Sequence, residues 1–100
     1  MGDETRGQQL IRAVQEHRVV ELTYKGHRRT VEPHIVAWHE AGEPVLYAYQ
    51  TGGTSQSGDL PGWRTLIVSE IENLELTDRT FPGPRRDFDP SGLMEVFARA

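Results

Sequence analysis

Apolar positions in the first part of the chain recur at helical spacing, and further along they alternate with polar ones. The first stripe comprises Leu10, Ile11, Ala13 and Val14, whose spacing of three and four residues predicts a helix over residues 4–17. From residue 19 onward, short runs rich in β-branched and aromatic side chains show a period of two. The pattern therefore predicts one helix followed by strands.

Five such runs predict five strands, at residues 19–24, 29–39, 45–50, 63–68 and 71–76. Lys25 and Gly26 supply a turn after the first run, and Ser69 and Glu70 leave room only for a tight connection before the last. Pro33 has no N–H for a strand ladder, so the second run lies at an edge or bends there. One helix and five closely spaced strands indicate a small barrel or a strongly bent sheet, with the helix capping an open end.

The remaining residues, 79–100, form a proline-containing extension. Ser91 is a candidate N-cap for a short last helix. The apolar residues of that helix would be Leu93, Met94, Val96 and Phe97. We therefore expect a single domain over residues 1–100 of the mainly β (α+β) class, with its barrel at about residues 19–78.

Composition narrows the range of functions. The chain has no cysteine, which excludes disulfides, thiolate zinc sites and thiol catalysis, and no apolar run approaches the length of a membrane span. Its polar first residues lack the features of a secretory signal, so we expect a cytoplasmic protein without a membrane partner. A net charge of −4 disfavours strong nonspecific affinity for nucleic acid, although ten of the eleven Lys and Arg residues are arginine.

Positive charge is concentrated between residues 18 and 34, a stretch that contains four Lys or Arg residues and only two glutamates. One hypothesis is an anion-binding site formed by these cations together with neighbouring aromatic residues. The alternative is a solvated hairpin in which the arginines pair with Glu21, Glu32 and Glu70, each pair contributing about 0–1 kcal/mol. The residues alone leave both open.

Other chemistry finds little support in the sequence. His34 and His39 are five residues apart on one strand, which places them on opposite faces, so we expect no metal site. Ser55 and Ser57 have no histidine nearby in sequence, and the run TGGT lacks the Gly-Lys-Ser/Thr of a phosphate loop, so we expect neither an enzyme nor a cofactor. Aromatic residues of the third and fourth strands either stack on bases or fill the core, and we favour partial burial for Tyr47 and Tyr49.

An ordered series of residues resembles the WYL-domain family. Tyr24 closes the first strand, Arg29 leads into T-V-E-P, and A-Y follows at Ala48 and Tyr49. The series continues with W-R-T at residues 63–65 and ends at Ile71. The resemblance covers about residues 10–88. It implies an Sm-like small β-barrel that senses ligands in bacterial transcription regulation, with a basic and aromatic face associated with nucleotides or single-stranded nucleic acid. It also implies a DNA-binding partner, here expected to be a separate protein, since the residues before the first helix are too few for a winged helix.

The chain departs from the family's pattern at two places, and the second of them reduces its basic character. The Trp-Tyr-Leu triplet of the family's name corresponds here to Pro44, Val45 and Leu46, and two cations of the fourth strand correspond to Ile67 and Glu70. The site implied for this chain is therefore smaller and centred on Arg29 and Arg64, and Glu70 is a candidate partner of one of these arginines. The expected ligand-binding residues are Tyr24, Arg28, Arg29, His34, Tyr49 and Arg64.

The sequence thus favours a non-enzymatic regulatory module that binds an anionic ligand such as a nucleotide or short nucleic acid. A second hypothesis is a protein–protein interaction or homodimerisation module without a small ligand, which would use a strand edge or the last helix.

Overall fold

One helix precedes a set of antiparallel strands in the computed structural model, which describes residues 5–39, 42–53, 62–85 and 93–99. The helix α1 spans Arg6–Glu16. The strands are β1 (Arg18–Tyr24), β2 (His27–His39), β3 (Glu43–Gly53), β4 (Gly62–Ile67), β5 (Ile71–Thr80) and β6 (Leu93–Arg99). A 3-10 helix, Val68–Glu70, joins β4 to β5. The predicted helix and all five predicted strands are confirmed, with ends that differ by a few residues.

Local sequence signals set both ends of α1. The Thr5 hydroxyl accepts a hydrogen bond from the backbone N–H of Gln8, and the Gln8 side chain accepts one from the N–H of Thr5, which forms a capping box. His17 ends the helix in the left-handed conformation, with φ of 55°. The buried stripe of the helix is Leu10, Ala13 and Val14, as the spacing predicts.

The β1–β2 hairpin has the turn expected from its sequence. Lys25 and Gly26 both adopt positive φ, 51° and 79°, and Tyr24 pairs with His27 across them. Positive φ at both turn positions matches the twist of the flanking strands.

Pro33 lies in the interior of β2, at a place where a missing N–H is tolerated. On one side, β2 pairs with β1 up to Val31 and with β6 from Ile35 onward, so Pro33 stands between the two partners. On the other side the register against β3 shifts after Pro33, which leaves His34 as the extra residue of a β-bulge. The expected bend is therefore a bulge combined with a change of neighbouring strand.

The strands form one sheet in the order β4-β3-β2-β1-β5, with β6 attached to β2. No pairing joins β4 to β5 among the described residues, so the predicted closure into a barrel is wrong for this part of the chain. The sheet is an open, six-stranded one with mainly β content. The helix and the sheet enclose a core whose largest fully buried apolar side chains include Leu10, Leu22, Leu46, Leu66 and Ile71.

The predicted C-terminal helix is also wrong. Residues Leu93–Arg99 form β6, which pairs with residues 35–39 of β2. A short apolar run has no decisive period of its own, and as a strand it pairs with the edge of β2 that β1 leaves open beyond Val31. The expected N-cap, Ser91, lies outside the described residues. Within the described ranges, no helix has the length and apolar character needed to cross a membrane.

Candidate functional site

The six residues expected to bind a ligand do not form one site. Strand β3 shows the reason, because Ala48 is fully buried in the core while Tyr47 and Tyr49, its neighbours along the strand, are partly exposed on the opposite side. We call the side that packs on α1 the inner face, and the side of Tyr47 and Tyr49 the outer face. Tyr24, Arg29 and Arg64 belong to the inner face, whereas His34 and Tyr49 contact Trp63 on the outer face.

Arg29 is buried on the inner face at the end of the core. Only 4% of it is exposed, because it lies opposite the core residue Leu22 on β1 and opposite Gly53 on β3. Gly53 is required here: its φ is +85°, and a Cβ would come within 2.7 Å of the Arg29 Cα. The close approach of β3 therefore fixes the backbone of Arg29.

The guanidinium of Arg29 is surrounded by neutral groups. Its Nη1 donates to Gln50 Oε1 at 3.4 Å and its Nη2 to the Tyr24 carbonyl oxygen at 3.3 Å. The Cζ lies 5.3 Å from the centroid of the Tyr24 ring. The Nε is buried and has no hydrogen-bond acceptor among the residues that the structure describes. Among the described residues, no carboxylate forms an ion pair with Arg29.

This environment destabilises the charge of Arg29. Burial lowers the pKa of Arg29, the nearby cation Arg64 lowers it further, and Tyr24 raises it. A buried cation beside a second cation is an arrangement that an anion would stabilise. Glu70, the expected counter-ion, is exposed at the end of the 3-10 helix and is not paired with Arg29.

The surroundings of Arg29 are held in place by hydrogen bonds. The Tyr24 hydroxyl accepts one from the backbone N–H of Ile67 at 3.0 Å, which ties β1 to the end of β4. The fully buried Gln50 donates from Nε2 to the Gly52 carbonyl oxygen at 3.0 Å. Gln50 was not among the expected site residues. It follows Leu46 and Ala48 at the alternate positions of β3 that point into the core, and a polar residue at such a position indicates a buried hydrogen-bonding role.

Arg64 approaches the same end of the core from the edge strand β4. It pairs with Ala48 of β3 and is partly exposed, and its Nη1 donates to the Trp63 carbonyl oxygen at 2.9 Å. An added Cβ on Gly62 would lie 3.0 Å from this Nη1. The expectation that Arg29 and Arg64 lie near each other is consistent with the influence of Arg64 on the Arg29 pKa.

His34, the bulge residue, is fully buried against the outer face in its neutral form. Its Nδ1 donates to the Glu32 carbonyl oxygen at 2.8 Å, and its Nε2 accepts from the backbone N–H of Arg85 at 3.1 Å. A carbonyl only accepts and an amide N–H only donates, so these partners place the proton on Nδ1. The ring also contacts Trp63 and Phe81. His34 is thus a packing and hydrogen-bonding residue.

Tyr49 is covered by an arginine of the chain itself. The Arg85 Cζ lies 3.8 Å from the Tyr49 ring centroid, and Arg85 forms two hydrogen bonds with the Glu32 carboxylate, at 2.9 and 3.3 Å. Arg85, which was not among the expected ligand-binding residues, is thus paired with a carboxylate of the same chain.

Arg28 lies outside both groups. Its Nη2 is 3.0 Å from Glu75 Oε1 and 3.6 Å from Glu21 Oε1, and the side chain is exposed. Arg28 therefore agrees with the alternative hypothesis of a solvated hairpin whose arginines pair with glutamates. Within the described ranges, His, Asp and Glu side chains also form no group of three that could hold a metal ion.

Comparison with known proteins adds no relative. No protein-family model, curated protein or solved structure matches the chain. The similarity to the WYL domain therefore stays a prediction that rests on the ordered residues from Tyr24 to Ile71.

Proposed function

We propose that the chain is a non-enzymatic, WYL-like regulatory module that binds an anionic ligand, such as a nucleotide, at Arg29 and Arg64. The observation that supports this most directly is the buried Arg29 guanidinium, which has no carboxylate partner among the described residues and an Nε without an acceptor. We place its action in the cytoplasm, together with a separate DNA-binding protein.

The physical reason is the free energy of an uncompensated buried charge. Removing a cation from water costs several kcal/mol unless an opposite charge or several good hydrogen bonds replace the water. The two bonds that Arg29 makes to neutral oxygens are long, at 3.3 and 3.4 Å. A bound oxyanion would provide charge-assisted bonds, which are shorter and roughly twice as strong as neutral ones.

Each residue of the proposed site has a distinct role. Arg29 provides the buried charge and Arg64 the second, more accessible charge. Tyr24 and Gln50 hold the Arg29 guanidinium in place. His34 and Tyr49, which the sequence analysis included, lie on the other face with their own partners and are left out of the proposed site, and Arg28 is left out because it is exposed and paired with glutamates.

Thermal unfolding of the full chain at low salt, with and without nucleoside monophosphates or inorganic phosphate, tests the proposal. A ligand at a hundred times its Kd stabilises the folded state by about 2.7 kcal/mol, and each kcal/mol raises the Tm of a domain of this size by about 4–8 °C. The double substitution Arg29→Gln with Arg64→Gln is expected to abolish the rise. Arg28→Gln removes the same charge from a neighbouring position and is expected to retain it.

Two results would contradict anion binding at this site: no rise in Tm with any of these anions, or the same rise in the double variant.

The second candidate function is an interaction or homodimerisation module. The specific observation is the open sheet, in which β4 and β5 each have a single partner strand within the described ranges. Unpaired strand edges are surfaces on which another chain adds. Sedimentation of the full chain over a range of concentrations tests it, and a constant monomer mass would exclude homodimerisation over that range.

A further inference from the structure

The depth of Arg29 restricts the chemistry of the anion that reaches it. We propose that the ligand presents a phosphate monoester, a phosphate group at the end of a molecule, and that an internal phosphodiester of nucleic acid does not enter the site. This inference rests on the proposed function, because it specifies the ligand of the same site.

Arg29 and the residues that hold its guanidinium are almost completely shielded from solvent. Arg29 is 4% exposed, Tyr24 is 5% exposed and Gln50 is fully buried. Only a narrow part of the Arg29 side chain meets solvent. A group that contacts this guanidinium must therefore extend beyond the rest of its own molecule.

Residues of the neighbouring strands surround Arg29 closely. Gly53 of β3 lies so close to β2 that an added Cβ would collide with backbone atoms of Arg28 and Arg29. Tyr24, on the neighbouring strand, is tied to the Ile67 N–H through its hydroxyl. These contacts involve backbone atoms of paired strands, and paired backbone does not move aside as an exposed side chain does. A change of rotamer therefore does not move these neighbours away from Arg29.

Phosphate monoesters and internal phosphodiesters differ in shape. An internal phosphodiester carries a sugar on each of two ester oxygens, so a sugar flanks the phosphorus on both sides. A monoester has one such attachment and three free acceptor oxygens. Only the monoester has several free oxygens projecting beyond the rest of the molecule, and the low exposure of Arg29 favours this shape.

Phosphate monoesters and phosphodiesters also differ in charge. A phosphate monoester carries about −1.5 to −2 at neutral pH because its second pKa is about 6, whereas a diester carries a single negative charge. Arg29 lies near a second guanidinium, whose charge lowers the Arg29 pKa. Two neighbouring cations favour a dianion over a monoanion, because each added unit of ligand charge is attracted by both.

The test compares ligands that differ only in the type of phosphate, by thermal unfolding and calorimetric titration of the full chain at low salt. The probes are adenosine 5′-monophosphate, adenosine 3′,5′-cyclic monophosphate, and a short oligothymidylate with or without a 5′-phosphate. The expected result is binding of the two monoesters at least about tenfold tighter than binding of their diester counterparts. Arg28→Gln is expected to preserve this ratio and Arg29→Gln to remove it.

The outcomes separate this inference from the proposed function. Equal affinity for the phosphorylated and unphosphorylated oligonucleotides would overturn the monoester inference while anion binding at Arg29 stands. Absence of binding by every probe would overturn both. Binding that Arg29→Gln leaves unchanged would show an anion held elsewhere, which also overturns both.

A second readout applies if Arg29→Gln does not fold. In the unsubstituted chain, monoester affinity is expected to fall as the pH decreases below about 6, because the phosphate loses its second charge there. Sulfate, which keeps both charges over this range, is expected to retain its affinity. Parallel behaviour of the two anions would contradict recognition of the dianion. Arg64→Gln, at a partly exposed position, is the alternative variant, and it is expected to lower the monoester affinity.

Discussion

Arg29 and Arg85 each lie against a tyrosine ring, one on either face of the same sheet, and they differ in what balances their charge. Arg85 is held by both oxygens of Glu32 and lies 3.8 Å from the Tyr49 ring centroid. Arg29 lies 5.3 Å from the Tyr24 ring centroid and has only neutral acceptors. Within the described part of the chain, the more deeply buried of the two cations is the one without a carboxylate partner.

The difference separates a structural contact from a candidate binding site. A charge that is fully paired within the chain gains nothing from an external ion, so Arg85 holds residues 81–85 on the outer face. Together with the hydrogen bond from its N–H to His34, it fastens this segment at two points. Arg29 has no such carboxylate partner in the ranges that the structure describes, and the gain available to a ligand is correspondingly larger.

The largest expected effect comes from closing the space beside Arg29. In Gly53→Ala, the new methyl group collides with backbone atoms of β2 and the residue keeps an unfavourable positive φ, so we expect a loss of about 3 kcal/mol or more in the free energy of unfolding. Urea denaturation measures the loss. Gly26→Ala is the matched control, since its φ is +79° but nothing lies within 4 Å of the added Cβ, and we expect about 1 kcal/mol. Equal losses would show that the close approach to Arg29 contributes nothing.

An intermediate effect, opposite in sign on the two faces, is expected from removing each cation. Arg85→Met leaves Glu32 partly buried without its partner and should lower the free energy of unfolding by about 1–3 kcal/mol. Arg29→Met replaces an unbalanced buried charge with an apolar side chain of similar length and should raise it by about 1 kcal/mol in the absence of anions. Chemical denaturation of the two variants in an anion-poor buffer provides the measurement. A similar loss for both would make Arg29 a structural residue as well.

Alkaline pH provides a second readout for the Arg29→Met variant. The folded chain releases the Arg29 proton at a lower pH than the unfolded chain, because burial and Arg64 lower the pKa of Arg29. Unfolding then takes up a proton, so raising the pH stabilises the unsubstituted chain in the interval between the lowered pKa and its ordinary value. The advantage of Arg29→Met is expected to shrink over that interval.

The smallest effect is expected at Arg28, which is exposed and lies near two glutamates. Arg28→Gln should change the free energy of unfolding by no more than about 0.5–1 kcal/mol, and added salt should reduce this difference further. Denaturation at low and high salt measures both. A loss that salt leaves unchanged would mean that the bond from Arg28 Nη1 to the Asn73 carbonyl oxygen, at 2.6 Å, contributes more than the ion pairs.

Much of the fold followed from periodicity, because the helix stripe and the alternating strands are local patterns. Barrel closure did not follow, since it depends on whether β4 and β5 meet, which no short stretch of sequence determines. The C-terminal strand was missed because its hydrogen-bonding partner is a distant edge of β2. Short apolar runs become helix or strand according to such tertiary partners.

The division of the site between two faces was harder to predict. Alternation along β2 places Arg29 and Val31 on the inner face, but the bulge at His34 shifts the alternation by one position beyond Pro33. A strand interpreted without the bulge assigns the later residues to the wrong side. Arg85 was missed for another reason: its partner Glu32 lies on a strand far away in sequence, and neither residue reveals the other.

The change of partner at Pro33 also bears on the order in which the chain folds. Strands β1, β2 and β3 are consecutive in the chain, so they can pair early. Residues 35–39 of β2 pair instead with β6, which is synthesised much later. During synthesis, the buried residues Ile35, Val36 and Ala37 therefore belong to an open strand edge, a known starting point for aggregation. The same proline that ends the pairing with β1 limits the length of this temporary edge.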